Sequence, residues 1–171
     1  MSVTKVSSAM QDTMVVADLP AGSTVQVVNV MDSALATGTT VMVYDDTIPQ
    51  NTEGDEYMTL AIIPTNSSNK LLIEVVISFS NSVGPSGLIA AIFQDSTAGA
   101  LKSMIQFQST AAVLGVHTFS HYMSAGTTSS TTFKVRAGGH AAGTTTLNGQ
   151  GGGRKHGGVL ASSITITEIK V

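Results

Sequence analysis

The sequence predicts an all-β fold: an antiparallel jelly-roll sandwich of about eight to ten strands behind a short N-terminal arm. Three observations lead there. Apolar residues recur with a period of two, and no amphipathic helical period of 3.6 interrupts them. Turn residues punctuate the chain at roughly ten-residue spacing, as in sandwiches and barrels. Charged residues are only 11% of the chain against a typical ~25%, while the hydrophobic share of 42% is ordinary, so Thr, Ser, Gly and Asn have replaced charge. A jelly roll is the economical way to arrange eight or more such strands. With 171 residues, one domain buries roughly 70% of the surface its unfolded chain exposes.

The strand that organises the others runs over 70–80. Leu71, Ile73, Val75, Ile77 and Phe79 fall on one side, and Leu72, Glu74, Val76 and Ser78 on the other. One face therefore meets a core, and the other a thinner, partly wet covering. Ahead of it, residues 1–21 form an arm without a committed period, either disordered or ordered by lying on a neighbouring subunit. The jelly-roll domain proper is 22–171. Strands are expected at 23–30 and 39–44, with a turn at Thr37-Gly38 between them, and then at 57–63. Residues 64–69 are a polar turn cluster and 82–87 a Gly-Pro turn.

Further strands follow at 88–94 and at 102–108, where Met104, Gln106 and Gln108 oppose Ser103, Ile105 and Phe107. The strand at 116–123 puts His117, Phe119, His121 and Met123 on one face. In the strand at 132–137, Phe133 and Val135 point inward and Lys134 and Arg136 outward. A polar piece at 144–148, a glycine loop at 149–158 and a last strand at 160–171 complete the chain. That last strand carries Leu160, Ile164 and Ile166 on one side and Thr165, Thr167 and Ile169 on the other.

Composition narrows the functions. A net charge of −3 and a pI near 5.7 supply no field for a phosphate backbone, so nucleic acid is not an expected partner. Cysteine is absent, which removes disulfides and thiolate metal sites. Neither a secretory leader nor a membrane-length apolar run is visible, so synthesis in a cytoplasm without membrane insertion is expected. A surface poor in charge suits a protein that packs into assemblies.

Four features invite chemistry. The segment 45–56 gathers Asp45, Asp46, Glu53, Asp55 and Glu56, the raw material of a calcium site or a paired-carboxylate glycosidase. It lacks the alternation of a calcium loop, and no Gly-x-Ser-x-Gly nucleophile accompanies it. His117 and His121, four apart on a strand, lie about 13 Å apart at ~3.3 Å per residue, too far to share an ion. In a trimer, His121 would meet its own copies near the axis. The loop 149–158 carries Arg154 and Lys155 among glycines but lacks the strand, helix and Lys-Ser or Lys-Thr pair of a phosphate loop. It reads as a surface contact. Asn66-Ser67-Ser68 matches a glycosylation pattern without the secretory leader that would use it. No catalytic, cofactor-binding or metal-binding residue is therefore assigned, and the chain is expected not to be an enzyme.

Three stretches occur together in order: Gly22-Ser-Thr-Val-Gln-Val-Val28, Ile63-Pro-Thr-Asn-Ser-Ser-Asn-Lys-Leu-Leu-Ile-Glu74 and Gly126-Thr-Thr-Ser-Ser-Thr-Thr-Phe-Lys-Val-Arg136. With Asp46-Thr-Ile-Pro-Gln-Asn-Thr-Glu-Gly54 and the closing stretch 158–168, they resemble the small jelly-roll domain of tailed-bacteriophage virion proteins over residues 22–171. The resemblance implies a trimer like tumour-necrosis-factor heads, displayed on a virion as a head decoration, head fibre or small tail fibre component. It also implies that the arm joins other virion proteins. The absence of a shaft of repeats departs from full-length tail fibres. The alternative is a host-receptor, glycan-binding fibre tip making contact through loops such as 81–87 and 149–158, or a free carbohydrate-binding module.

Overall fold

In the computed structural model, which describes residues 16–171, the alternation of the central strand comes out as the two-residue period requires. Leu71, Ile73, Val75, Ile77 and Phe79 are all fully buried. The strands are β1 (Thr24–Asp32), β2 (Ala36–Gly38), β3 (Asp55–Ile62), β4 (Lys70–Asn81), β5 (Ser86–Gln94) and β6 (Lys102–Gln108), then β7 (Gly115–Ser124), β8 (Thr131–Gly139), β9 (Thr145–Leu147), β10 (Gly149–Gln150), β11 (Gly153–Arg154) and β12 (Ser162–Ile169). No helix among the described residues is long and apolar enough to cross a membrane.

Two antiparallel sheets face each other. In the larger, β4 pairs with β12 on one edge and β7 on the other, β1 flanks β12, and β9 joins the far end of β4 and carries β2. The smaller runs β3-β8-β5-β6. Counting only the eight long strands in chain order, the larger sheet reads first, eighth, third, sixth and the smaller second, seventh, fourth, fifth. That interleaving is the jelly roll, two Greek keys rolled over one core. Ile73, Val75, Ile164 and Ile166 from one sheet meet Leu88, Ile92, Phe133 and Val135 from the other.

The predicted strand at 39–44 is not a strand, and the predicted turn at Thr37-Gly38 is: it lies in β2, with Gly38 opposite Thr145. Residues 39–44 instead cross the outer side of the smaller sheet. Met42, fully buried, closes a second apolar cluster there with Ile89, Ala91 and Phe93. Its amide donates to the Gly139 carbonyl at 3.1 Å, and a Cβ on Gly138 would lie 2.7 Å from the Thr40 carbonyl oxygen, so the glycines ending β8 let the crossing segment lie close. The apolar run at 41–43 thus serves to bury Met42, with Val41 half-buried and Val43 exposed, and does not belong to a ladder.

The two ends of the sandwich differ. At one, the Lys170 ammonium donates to the carbonyls of Val16 and Leu19, and Gly22 N–H donates to the Lys170 carbonyl, so residues 16–22 lie against the last strand. Of the expected 1–21 arm, residues 1–15 lie outside the described residues. At the other end, Gln108 holds the Val83 carbonyl, Ala112 N–H donates to Asn81, and Gln150 holds the Ala112 carbonyl. Loops 82–85 and 109–114 and the β10–β11 hairpin therefore gather at the pole away from the chain ends.

One inward position on β12 was not expected. Glu168 is fully buried, with its carboxylate accepting from Gln26 Nε2 (2.6 Å), Thr65 N (2.9 Å) and Oγ1 (2.8 Å), Asn66 N (3.4 Å) and Asn69 Nδ2 (2.6 Å). Burial pushes the carboxyl up, but the bonds from Asn69, Gln26 and Thr65 outweigh it and hold it below the ordinary glutamate value of 4.5. Its folded value is the lower one, so its stabilisation is complete above about 4.5 and is lost as pH falls through the folded value. Glu168→Gln, which sets an amide donor among these donors, is expected to cost about 2–3 kcal/mol in urea melts at pH 7. The cost should shrink towards pH 3.

Candidate functional site

Four of the five carboxylates at 45–56, those of Asp45, Glu53, Asp55 and Glu56, are used internally. Asp55 accepts from the Thr40 amide (3.0 Å) and hydroxyl (2.8 Å), and Glu53 accepts from the amides of Val43 (2.9 Å) and Gln50 (3.0 Å). Glu56 pairs with Lys134 at 3.5 Å and Arg136 at 3.6 Å, while Arg136 also donates to the carbonyls of Glu53 and Gly54. Asp45 caps its own turn through Thr47, whose hydroxyl and amide hold the Asp45 carboxyl below the usual range. These bonds fold the crossing segment onto the sheet, which gives the clustered carboxylates of the loop and of the start of β3 a structural use. Among the described residues no three His, Asp or Glu side chains gather as a metal site would need.

The histidines of β7 both face the interior. His117 is buried, stacks on Phe79 at 4.9 Å between ring centroids, and shares a 3.0 Å bond with the Leu88 carbonyl through Nε2. That carbonyl can only accept, so Nε2 carries the proton, and buried Nδ1 has no partner among the described residues. Half-buried His121 lies opposite Ile73 on the core side of the larger sheet. Its strand, β7, pairs with β4 along one edge only, so His121 sits near an open edge of the larger sheet. Burial lowers the affinity of both rings for a proton; the Leu88 bond partly offsets this at His117, and the Lys102 charge adds to it at His121.

Two surfaces stand out. On the outer face of the larger sheet, cross-strand rows run Val27-Thr167-Leu72-Tyr122, Asn29-Thr165-Glu74-Ser120 and Met31-Ser163-Val76-Thr118. Glu74 is the one ionisable carboxylate in these rows, and Met31 and Tyr122 are 71% and 57% exposed. The second surface lies on the smaller sheet, where β6 has a partner along one edge only. Ile105 and Phe107 are exposed on its outer side, and Met104 is exposed on the other. Tyr44, at 60% exposure, meets the Phe107 ring edge to face at 5.3 Å, and His140 lies 5.9 Å from both.

This aromatic group escaped the sequence reading because its members come from three distant segments. The one signal in the sequence was Phe107 beside Ile105 on the side of β6 that a sandwich core does not use. The Gly149–Gly158 loop, read as a contact loop, forms the β10–β11 hairpin and a following 3-10 turn at the distal pole.

Among known proteins, no family model and no curated sequence matches this chain. Solved structures with a similar arrangement include dimeric latent PorU from Porphyromonas gingivalis, 10% identical with a TM-score of 0.40 over 88% of this chain. Two more come from infectious bursal disease virus. One is a chain of the viral particle, 12% identical with a TM-score of 0.43 over 87% of this chain, and the other is VP2 of the subviral particle, 14% identical with a TM-score of 0.37 over 85%. The chain spans 14%, 36% and 38% of those three chains. Superposition this loose carries no inference about activity or partners.

Two outcomes follow from the internal use of these groups. Asp55→Ala strands the Thr40 amide and is expected to cost about 1–2 kcal/mol by denaturant melts, while millimolar calcium leaves the melting temperature of the unaltered chain where it was. Both histidines bind protons less readily when folded, so stability should fall as pH drops below 6.5 and level off beneath their folded values. His117→Gln should remove part of that slope in thermal melts between pH 8 and pH 5.

Proposed function

We propose that this chain is a non-enzymatic structural protein of a virus particle, of the tailed-bacteriophage kind, working as a trimeric jelly roll displayed on the particle surface. The observation that carries the reading is the outer face of the larger sheet. Val27, Met31, Val76 and Tyr122 are exposed there beside half-buried Leu72, among Thr and Ser with a single carboxylate. Soluble monomers seldom leave such a broad low-charge face to water. Copies of the same chain, meeting through it, would bury apolar area at modest desolvation cost, because hydroxyls make small demands. The charges are Glu74 and, at the end of the face, Lys70, whose ammonium already donates to Ser124. The threefold count comes from the sequence resemblance to phage virion jelly rolls, as does the placing on a head decoration, head fibre or small tail fibre.

The arrangement of the poles supports display. The chain enters beside its own C-terminal strand, so attachment by the N-terminal segment leaves loops 82–85 and 109–114 and the β10–β11 hairpin facing away. Threefold repetition would multiply any weak contact made by those loops. Light scattering on the purified chain is expected to return about three times 17.5 kDa, and Val76→Asp with Tyr122→Asp should return one chain mass with an unchanged circular-dichroism spectrum. A single-chain mass for the unaltered protein at micromolar concentration would remove the reading. Labelled electron microscopy of particles then separates head from tail.

A further inference from the structure

We propose that the trough between residues 43–50 and strand β6 is a binding site for a neutral oligosaccharide. Two hollows of about 500 and 160 Å³ lie side by side there and share Asp45, Thr47, Pro49 and Ser103, so they form one continuous depression. Its size falls in the ~300–1,000 Å³ range of small-molecule sites. Its floor is apolar: Ile105 pairs with Ile89, and Ile89 belongs to the cluster beneath Met42.

The two ends of the trough differ in chemistry. At the end nearer the distal pole stand the exposed rings of Tyr44 and Phe107, set at 80° to each other with His140 beside both. A pyranose presents a face of C–H groups that packs on an aromatic ring and an edge of hydroxyls that does not, and this corner offers ring surface in two planes. Towards the other end, Asp45 receives both Thr47 bonds on Oδ1 and leaves Oδ2 available to accept. Asp46, Thr47 and Ser103 continue the polar wall, with Lys102 at its end. Carboxylates accepting from sugar hydroxyls form charge-assisted bonds, stronger than neutral ones. Two carboxylates against one ammonium disfavour anionic ligands, and their presence disfavours a lipid tail.

The site is preformed, which lowers the cost of binding. His140 is held twice by Gly87: its amide donates to the Gly87 carbonyl at 2.9 Å, and its Nδ1 accepts from the Gly87 amide. The neutral ring therefore carries its proton on Nε2, a donor beside the aromatic corner. Glu53 pins both ends of the 43–50 segment, and Ala100 N–H donates to the Pro49 carbonyl at 2.9 Å. The trough is built from one chain and lies on the opposite sheet from the face proposed to join copies, so it does not depend on that assembly.

An array of neutral oligosaccharides, including chitotriose, cellotetraose and maltotetraose, should be probed with the full chain and the best ligand titrated by calorimetry with choline as a control. At least one glycan is expected to bind at roughly millimolar affinity or tighter per site. Tyr44→Ala and Phe107→Ala should each weaken it about tenfold or more, Asp45→Asn should weaken it less, and Tyr122→Ala should leave it unchanged. Ser103→Trp, which fills the trough from an exposed position, should abolish binding without lowering the melting temperature. The proposal is overturned if no glycan binds, if choline alone binds, or if binding survives Ser103→Trp. It is also overturned if Tyr44→Ala and Phe107→Ala reduce the light-scattering mass, which would make the patch a contact between copies. A trimer that binds no glycan leaves the structural reading intact, and a monomer that binds one removes that reading alone.

Discussion

Pairing along both edges of β4 is the constraint on which this molecule rests. Its twelve residues hold β12 over 70–76, β7 over 70–79 and β9 over 79–81, so one strand sets the register of three others. A slip of one residue would turn Leu71, Ile73, Val75, Ile77 and Phe79 outward together and bring Glu74 into the core. The slip would also separate Glu168 on β12 from Asn69, which sits just before β4 and bonds that carboxylate. The apolar face and the buried carboxylate thus enforce the same register by different physics. One loses hydrophobic burial when displaced, and the other strands a charge among unmatched donors.

Much of the fold was legible because alternation in a sandwich has one dominant cause. In β4, β7 and β8 the inward residues are those the period selects, down to His117 and Phe119 on one face and Phe133 and Val135 on another. Legibility failed where a different cause produced the same pattern. Val41-Met42-Val43 is an apolar run of the kind a strand carries, yet its backbone bonds go to the Gly139 carbonyl, the Gly54 amide and the Glu53 carboxylate. Only the tertiary arrangement decides that. β6 failed in another way: its two sides were read correctly as distinct, but as an edge strand it leaves both largely exposed.

The sites divide along the same line. Composition pointed to the carboxylates of 45–56, because clustering is visible in sequence, but not to their employment as caps for the amides of Thr40, Val43 and Gln50. Glu168 was invisible as a buried charge because its donors come from positions 26, 65, 66 and 69. The Tyr44, Phe107 and His140 group was invisible for the same reason. The outcome is a division of labour between sheets: hydroxyl-rich apolar rows on the larger, and a polar trough with an aromatic corner on the smaller.

The latch between Lys170 and the carbonyls of Val16 and Leu19 also bears on engineering. Both ends of the described chain leave the sandwich at one place, so residues 16–171 form a cassette with its two leads side by side. Such a cassette can be spliced into a surface loop of an unrelated host protein without stretching either junction. The hairpin and the aromatic corner would then face outward from the graft, making the fold a scaffold for presenting foreign loops.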